Sequence, residues 1–183
     1  LLKEISLPPN FTKIEPNTFS ECSSLKQIDI HSKITKIGLS AFSQSLSLTE
    51  IVIPDSVTII DTSAFIECSS LKEIIIPNSV VSIGNCCFNK CTSLKEIIIP
   101  SSVREIGSYA FSGCSLLSQI IIPPLLTKIS DGTFNKCTSL SQIILPPNLN
   151  FIGYGAFNEC FSLKEINLPK SLNNIGKKIF GGL

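Results

Sequence analysis

Eight cysteines and a single histidine are the side chains best equipped for chemistry in this 183-residue sequence. Six of the cysteines, Cys22, Cys68, Cys91, Cys114, Cys137 and Cys160, lie at multiples of 23 residues, and Cys86 and Cys87 stand outside that series. Thiolates could bind zinc, and Cys86, Cys87, Cys91 and a neighbour can be drawn around an ion, but the spacing matches no common ligand pattern. Cysteines repeated on stacked turns would come within disulfide range, yet Cβ atoms pointing in parallel are poorly aimed for bridging. The spacing instead predicts a ladder of small buried thiols, ordinary behaviour for free cysteine. No metal and no cofactor is expected.

His31 has no cysteine or paired acid beside it in the repeat frame and reads as a surface residue. General acid-base chemistry requires such groups in a cleft that shifts their pKa, and a uniform stack of turns offers none. Gly153-Tyr-Gly155 is the one Gly-x-Gly string, and it belongs to a bend of the repeat rather than to a phosphate cradle. Asn10-Phe-Thr12 is a single glycosylation acceptor, a pattern that chance often supplies. No enzymatic role is expected.

The cysteine spacing is one column of a repeat that runs the length of the chain. Leu2 recurs at Leu25, Leu48, Leu71, Leu94, Leu117, Leu140 and Leu163, and the columns begun by Ile5, Ile14 and Phe19 recur as regularly, without an insertion or deletion. Periods of 20 to 50 residues mark solenoids. The reading is one domain, residues 1–183, of eight units: 1–23, 24–46, 47–69, 70–92, 93–115, 116–138, 139–161 and 162–183.

A unit such as Ser93 to Ser115 divides into three parts. In Leu94 to Ile99, alternation sends Ile97 and Ile99 to one face and Glu96 and Ile98 to the other, which predicts a short strand, and Pro100, lacking an amide hydrogen, ends it. Val103 to Gly107 suits a second extended piece, whose glycine permits a tight bend or a positive φ. Tyr109 to Cys114 spaces its apolar residues by one, three and four, which predicts a single helical or 3-10 turn on the convex side. One unit supplies about eight inward side chains and cannot close a core alone, so stacked coils must bury each other. The expected fold is an α/β leucine-rich-repeat solenoid whose parallel strands stack about 4.8 Å apart, so that eight turns make a rod or shallow arc of roughly 35 to 40 Å.

Composition agrees with a folded body: 43% of residues are hydrophobic, and 15 Lys and Arg against 14 Asp and Glu give a net charge of +1. So balanced a charge supplies no field for nucleic acid or acidic membrane surfaces. No apolar run reaches the roughly 18 residues of a membrane span, so this segment is not expected to insert. The lack of methionine and of polar capping units predicts a segment of a longer protein, with signal or anchor sequences outside it.

The pattern L-x-x-I-x-I-P-x-S-V-x-x-I-G-x-x-A-F-x-x-C, as in Leu71 to Cys91 and Leu94 to Cys114, resembles the BspA-like class of leucine-rich repeats over the entire chain. Departures are few: His31 replaces the proline, Ser45 and Leu183 the cysteine, and Cys87 the alanine. Members of that class occur on the surfaces of anaerobic bacteria and in parasitic protists, so the resemblance implies a surface or secreted adhesion module that contacts host or matrix proteins. It implies no active site. An intracellular interaction scaffold is the alternative, suggested by free cysteines without an evident disulfide pattern.

Solenoids bind through the exposed positions of their strands. The position between the two buried isoleucines reads Ser6, Asp29, Val52, Ile75, Ile98, Ile121, Ile144, Asn167, an apolar stripe with polar ends. Two residues earlier stand Glu4, Gln27, Glu50, Glu73, Glu96, Gln119, Gln142 and Glu165, and Lys72 and Lys95 beside the glutamates are expected to offset their repulsion. Three readings of the stripe follow. It is a contact surface for a protein partner, it stabilises the strand ladder by β-propensity, or another copy or a missing segment covers it. On the first, the partner-binding residues are Glu50, Val52, Glu73, Ile75, Glu96, Ile98, Gln119, Ile121, Gln142 and Ile144. The oligomeric state is left open by the sequence.

Overall fold

A computed structural model describes residues 2–181. The chain winds as a parallel β-solenoid, and the expected eight units stack into about seven turns, the seven 23-residue steps from Ile5 to Ile166.

Two rows of short strands run along the coil. The front row comprises Glu4–Ser6, Gln27–Asp29, Glu50–Val52, Glu73–Ile75, Gln119–Ile121 and Gln142–Ile144. It pairs two by two with a register of one repeat, as in Ile5 to Ile28, Ile51 to Ile74 and Ile120 to Ile143. Residues 96–98 continue the row without strand pairing. The side row comprises Lys36–Ile37, Ile59–Ile60, Ser82–Ile83, Glu105–Ile106, Lys128–Ile129, Phe151–Ile152 and Asn174–Ile175, the second extended piece predicted from the Val103 to Gly107 pattern. Ile37, Ile60, Ile83 and Ile106 form one ladder there, joined by a bridge from Ile14, and Ile129, Ile152 and Ile175 form another.

Each interior turn buries about eight side chains, as the unit predicts, while the first and last turns bury only one or two among the described residues. In residues 70–92 the eight are Leu71, Ile74, Ile76, Val80, Ile83, Cys87, Phe88 and Cys91. The phenylalanines from Phe19 to Phe180 stack along the axis with centroids 5.2 to 6.0 Å apart.

The helical or 3-10 turn expected on the convex side is absent among the described residues, so the fold is all-β. The reason lies in where the amides point. Around Phe111, the N–H groups of Tyr109, Phe111 and Gly113 donate to the carbonyls of Asp131, Thr133 and Asn135 on the next turn, at 2.9, 2.9 and 2.7 Å. Only Ala110, Ser112 and Cys114 donate locally, to the residue three before. A helix needs every amide locally, so the segment is a run of tight turns laddered to its neighbour. Alternate turns of the run, such as Gly107 to Ala110 and Phe111 to Cys114, carry a positive φ at their third residue, and among the described residues all fifteen positive-φ positions fall in the two columns begun by Asn17 and Glu21. Twelve of them are not glycine, and they include Tyr109 at 58° and Lys90 at 59°.

Of the two uses expected for the glycine of the Ile-Gly bend, a tight bend or a positive φ, the second is not realised. Gly38, Gly84, Gly107, Gly153 and Gly176 do not carry a positive φ. They press instead on the preceding turn: a Cβ on Gly38 would stand 2.8 Å from the Ile14 carbonyl oxygen and 2.9 Å from the Pro16 nitrogen.

Candidate functional site

The cysteine column is the ladder the spacing predicts. Cys68, Cys91, Cys114, Cys137 and Cys160 are buried, and every cysteine is a free thiol. Each of the five Sγ atoms donates to the carbonyl of the phenylalanine 26 residues earlier, at 3.0 to 3.2 Å. Burial pushes the thiols of Cys68, Cys114 and Cys160 up to about 12, and those of Cys87, Cys91 and Cys137 also well above the usual thiol range. These sulfurs are protonated structural groups, unsuited to nucleophilic or metal chemistry. Among the described residues, no three His, Cys, Asp or Glu side chains come together as a metal site.

His31 is also committed. Its Nε2–H donates to the Pro8 carbonyl of the preceding turn at 3.0 Å, and its Nδ1 accepts from the Lys33 amide at 3.3 Å. It closes the strand end where other turns have proline.

The front strands assemble the predicted surface. Val52, Ile75, Ile98, Ile121 and Ile144 point outward, with exposures from 60% at Ile144 to 83% at Ile98. Pleating forces this arrangement, since burying Ile74 and Ile76 on one side leaves Ile75 on the other. Shallow grooves lie between the turns, one of about 300 Å3 along Glu73, Ile75, Glu96 and Ile98 and another of about 300 Å3 along Glu96, Ile98, Gln119, Ile121, Gln142 and Ile144. All ten predicted contact residues therefore lie on one face.

The lysines expected to offset the front glutamates form no ion pair with them among the described residues. Glu50 and Glu73 stand directly opposite in register. Yet the ion pairs among the described residues join Lys13 to Glu15, Lys36 to Asp61, Lys90 to Glu67 and Lys136 to Glu159, away from this face. Lys72 and Lys95 are exposed beside Glu73 and Glu96, but among the described residues neither forms an ion pair with them. Glu50, Glu73 and Glu96 are thus an acidic row without ion pairs among the described residues, beside the apolar stripe.

Sequence reading did not single out a depression of about 250 Å3 on the convex turns, between Tyr109 and Tyr154. The signal available was the presence of only two tyrosines, with Gly132 and Gly155 in a column otherwise filled by side chains.

Parallel strands at a 23-residue repeat, a leucine and phenylalanine core and an exposed strand face define a leucine-rich-repeat solenoid. The chain belongs to the BspA type leucine rich repeat family, whose profile matches residues 1–72 and 58–183 in 6 copies. Among solved structures, the leucine-rich repeat protein of T. pallidum is 32% identical, aligns over 90% of this chain and 79% of its own, and superposes with a TM-score of 0.86. A leucine-rich repeat protein from Bacteroides ovatus is 28% identical with a TM-score of 0.74, over 98% of this chain but 58% of its own length. A leucine rich cell surface protein from Faecalibacterium prausnitzii is 26% identical over 100% of this chain and 71% of its own, with a TM-score of 0.54. Comparison with curated proteins gives no match.

Proposed function

We propose that the protein is a partner-binding module of the cell surface that captures another protein on its front face. The observation that carries this reading is the run of five successive turns with a large aliphatic residue exposed by 60% or more, ending in polar Asp29 and Asn167. Burying such a side chain in an interface is worth about 1.5 to 3 kcal/mol. The unpaired Glu50, Glu73 and Glu96 supply a rim that favours a partner with basic residues beside its apolar contacts.

A surface location is supported by kinship, since a relative from Faecalibacterium prausnitzii is described as a cell surface protein. The free cysteines do not argue for the cytosol, because the five in the ladder are buried and hydrogen-bonded, and need no disulfide to be explained. Adhesion to host or matrix proteins is the use we assign to this face.

The test is the double variant Ile75→Lys, Ile121→Lys, with Lys136→Glu on the convex side as control. Binding to immobilised matrix proteins and self-association by light scattering are measured for each, after circular dichroism confirms the fold. Binding should disappear in the double variant and persist in the control. Equal binding by parent and double variant would show that the stripe serves only the strand ladder, and loss of self-association alone would make a second copy the partner.

A further inference from the structure

We propose that the depression between Tyr109 and Tyr154 is a second binding site, which receives a neutral sugar ring of a glycan. It shares no residue with the front face. Its position is the first argument. In an array whose columns repeat from end to end, both tyrosines of the chain fall at one spot, two turns apart in adjacent columns, with exposures of 39% and 46%.

Second, the space between them is cleared by glycine. Gly132 and Gly155 occupy the column that carries Asn17, Ser40, Ser63, Cys86, Tyr109 and Lys178 elsewhere, all at a positive φ like their own. Six other residues thus tolerate this backbone with a side chain, and the backbone alone does not demand glycine. At Gly132 the demand comes from the Tyr109 ring, which lies where a Cβ would be. Above Gly155 the space is open, with Asn158 Cβ the nearest atom at 3.8 Å from the position of a Cβ. The result is a hollow of about 250 Å3, room for one sugar ring.

Third, the lining has mixed chemistry. The aromatic rings offer flat apolar surface for the C–H face of a sugar. Along the floor, Asn158 Nδ2 donates to Asn135 Oδ1 at 2.8 Å, and Asn135 Nδ2 donates to Ser112 Oγ at 3.3 Å, which holds both amides in place. Among the described residues the two tyrosine hydroxyls and the Lys178 ammonium have no hydrogen-bond or ion-pair partner, so they are available to ring hydroxyls. An anion is the poorer fit. Lys178 is the sole cationic group of the lining, and the Glu159 carboxylate lies 3.2 Å from Asn158 Nδ2.

The chain carries its own reporter. It has no tryptophan, so tyrosine emission arises from this site alone. The methyl glycosides of glucose, galactose, mannose and N-acetylglucosamine would be titrated in turn against the whole chain, following that emission and, independently, saturation transfer to the sugar by NMR. At least one should bind. Tyr154→Ala should weaken it by up to about tenfold, the loss of one stacked ring. Gly155→Asn should abolish it, because that variant fills the hollow with the residue the column already carries at Asn17 and so spares the fold. The Ile75→Lys, Ile121→Lys variant should bind the sugar as the parent does, whatever its effect on the protein partner. No response to any of the four glycosides, or a response that survives Gly155→Asn unchanged, overturns the proposal.

Discussion

Ser45 Oγ donates to the Phe19 carbonyl at 2.8 Å, from the place where Cys68 Sγ, one turn on, donates to the Phe42 carbonyl at 3.0 Å. The two residue types fill one structural role, that of a small buried donor pinned to the previous turn. Ser45 is fully buried and has no other use for its hydroxyl. Replacing it with alanine removes a hydrogen bond worth about 1 kcal/mol net. Ser45→Cys, which installs the residue of the neighbouring turns, should cost less than Ser45→Ala in urea melts. Alanine and cysteine variants of equal stability would mean that the column needs only volume.

The thiols of that column set a limit at alkaline pH. A thiol whose folded pKa is raised stabilises the fold fully below its unfolded pKa, near 8.5, and loses that contribution as pH rises through the folded value. Cys68, Cys114 and Cys160, pushed up to about 12, therefore place the window between roughly pH 9 and pH 12. Thermal stability should fall across that window, and less steeply in a Cys114→Ala variant. In the folded protein at neutral pH, a thiol reagent should modify at most the half-buried Cys22 and Cys86, and the remaining six only on unfolding. Rapid modification of all eight under native conditions would contradict the ladder.

Much of the fold was legible because its core is periodic. The leucine, isoleucine and phenylalanine columns each return every 23 residues, and alternation at Glu96-Ile-Ile98 is enough to turn the second isoleucine outward. The convex segment was not legible in the same way. The spacing of Tyr109, Ala110, Phe111 and Cys114 suits a helical turn as well as a run of tight turns, and what separates them is an amide that bonds 22 residues ahead, a partner no local pattern reveals. Repeat reasoning also hid the tyrosine hollow, because attention to what a column shares overlooks the turns that depart from it. The lysines beside the front glutamates form no ion pair with them among the described residues, because adjacency in sequence does not fix a contact geometry.

Asp61 offers a pH effect of opposite sign. The Lys36 ammonium, 2.8 Å away, holds its carboxyl below the usual carboxylate range, assisted by the Thr62 amide and opposed by partial burial. A depressed folded pKa means that the stabilisation is present above the unfolded pKa, near 3.9, and is lost as pH falls through the folded value. Asp61→Asn keeps an acceptor for the Thr62 amide and removes only the charge. Its melting temperature should lie slightly below the parent's at pH 7, a small gap because both partners are partly exposed. The gap should narrow as pH falls from the unfolded pKa through the lowered folded value, and one that does not narrow in acid would assign the effect to something other than the ion pair.

Two kinds of glycine and one kind of strain can be separated by substitution. Ser63 carries φ 57° in a column where Gly132 and Gly155 carry 57° and 59°. The left-handed conformation costs a non-glycine residue roughly 1 to 2 kcal/mol, and glycine's greater freedom in the unfolded chain returns about 0.5 to 1 of that. Ser63→Gly should therefore stabilise by about 0.5 to 1 kcal/mol. Gly155→Ala, with open space around its Cβ, should cost a similar amount and no more. Gly38→Ala should behave differently, because its Cβ would meet the Ile14 carbonyl oxygen at 2.8 Å and the coil cannot part there without breaking the side-row ladder. That variant should lose about 1 to 3 kcal/mol or more, the range for overpacking. Chemical denaturation of the three variants beside the parent decides the matter. Equal losses for Gly38→Ala and Gly155→Ala would mean that the two columns of glycine serve one purpose, contrary to their geometry.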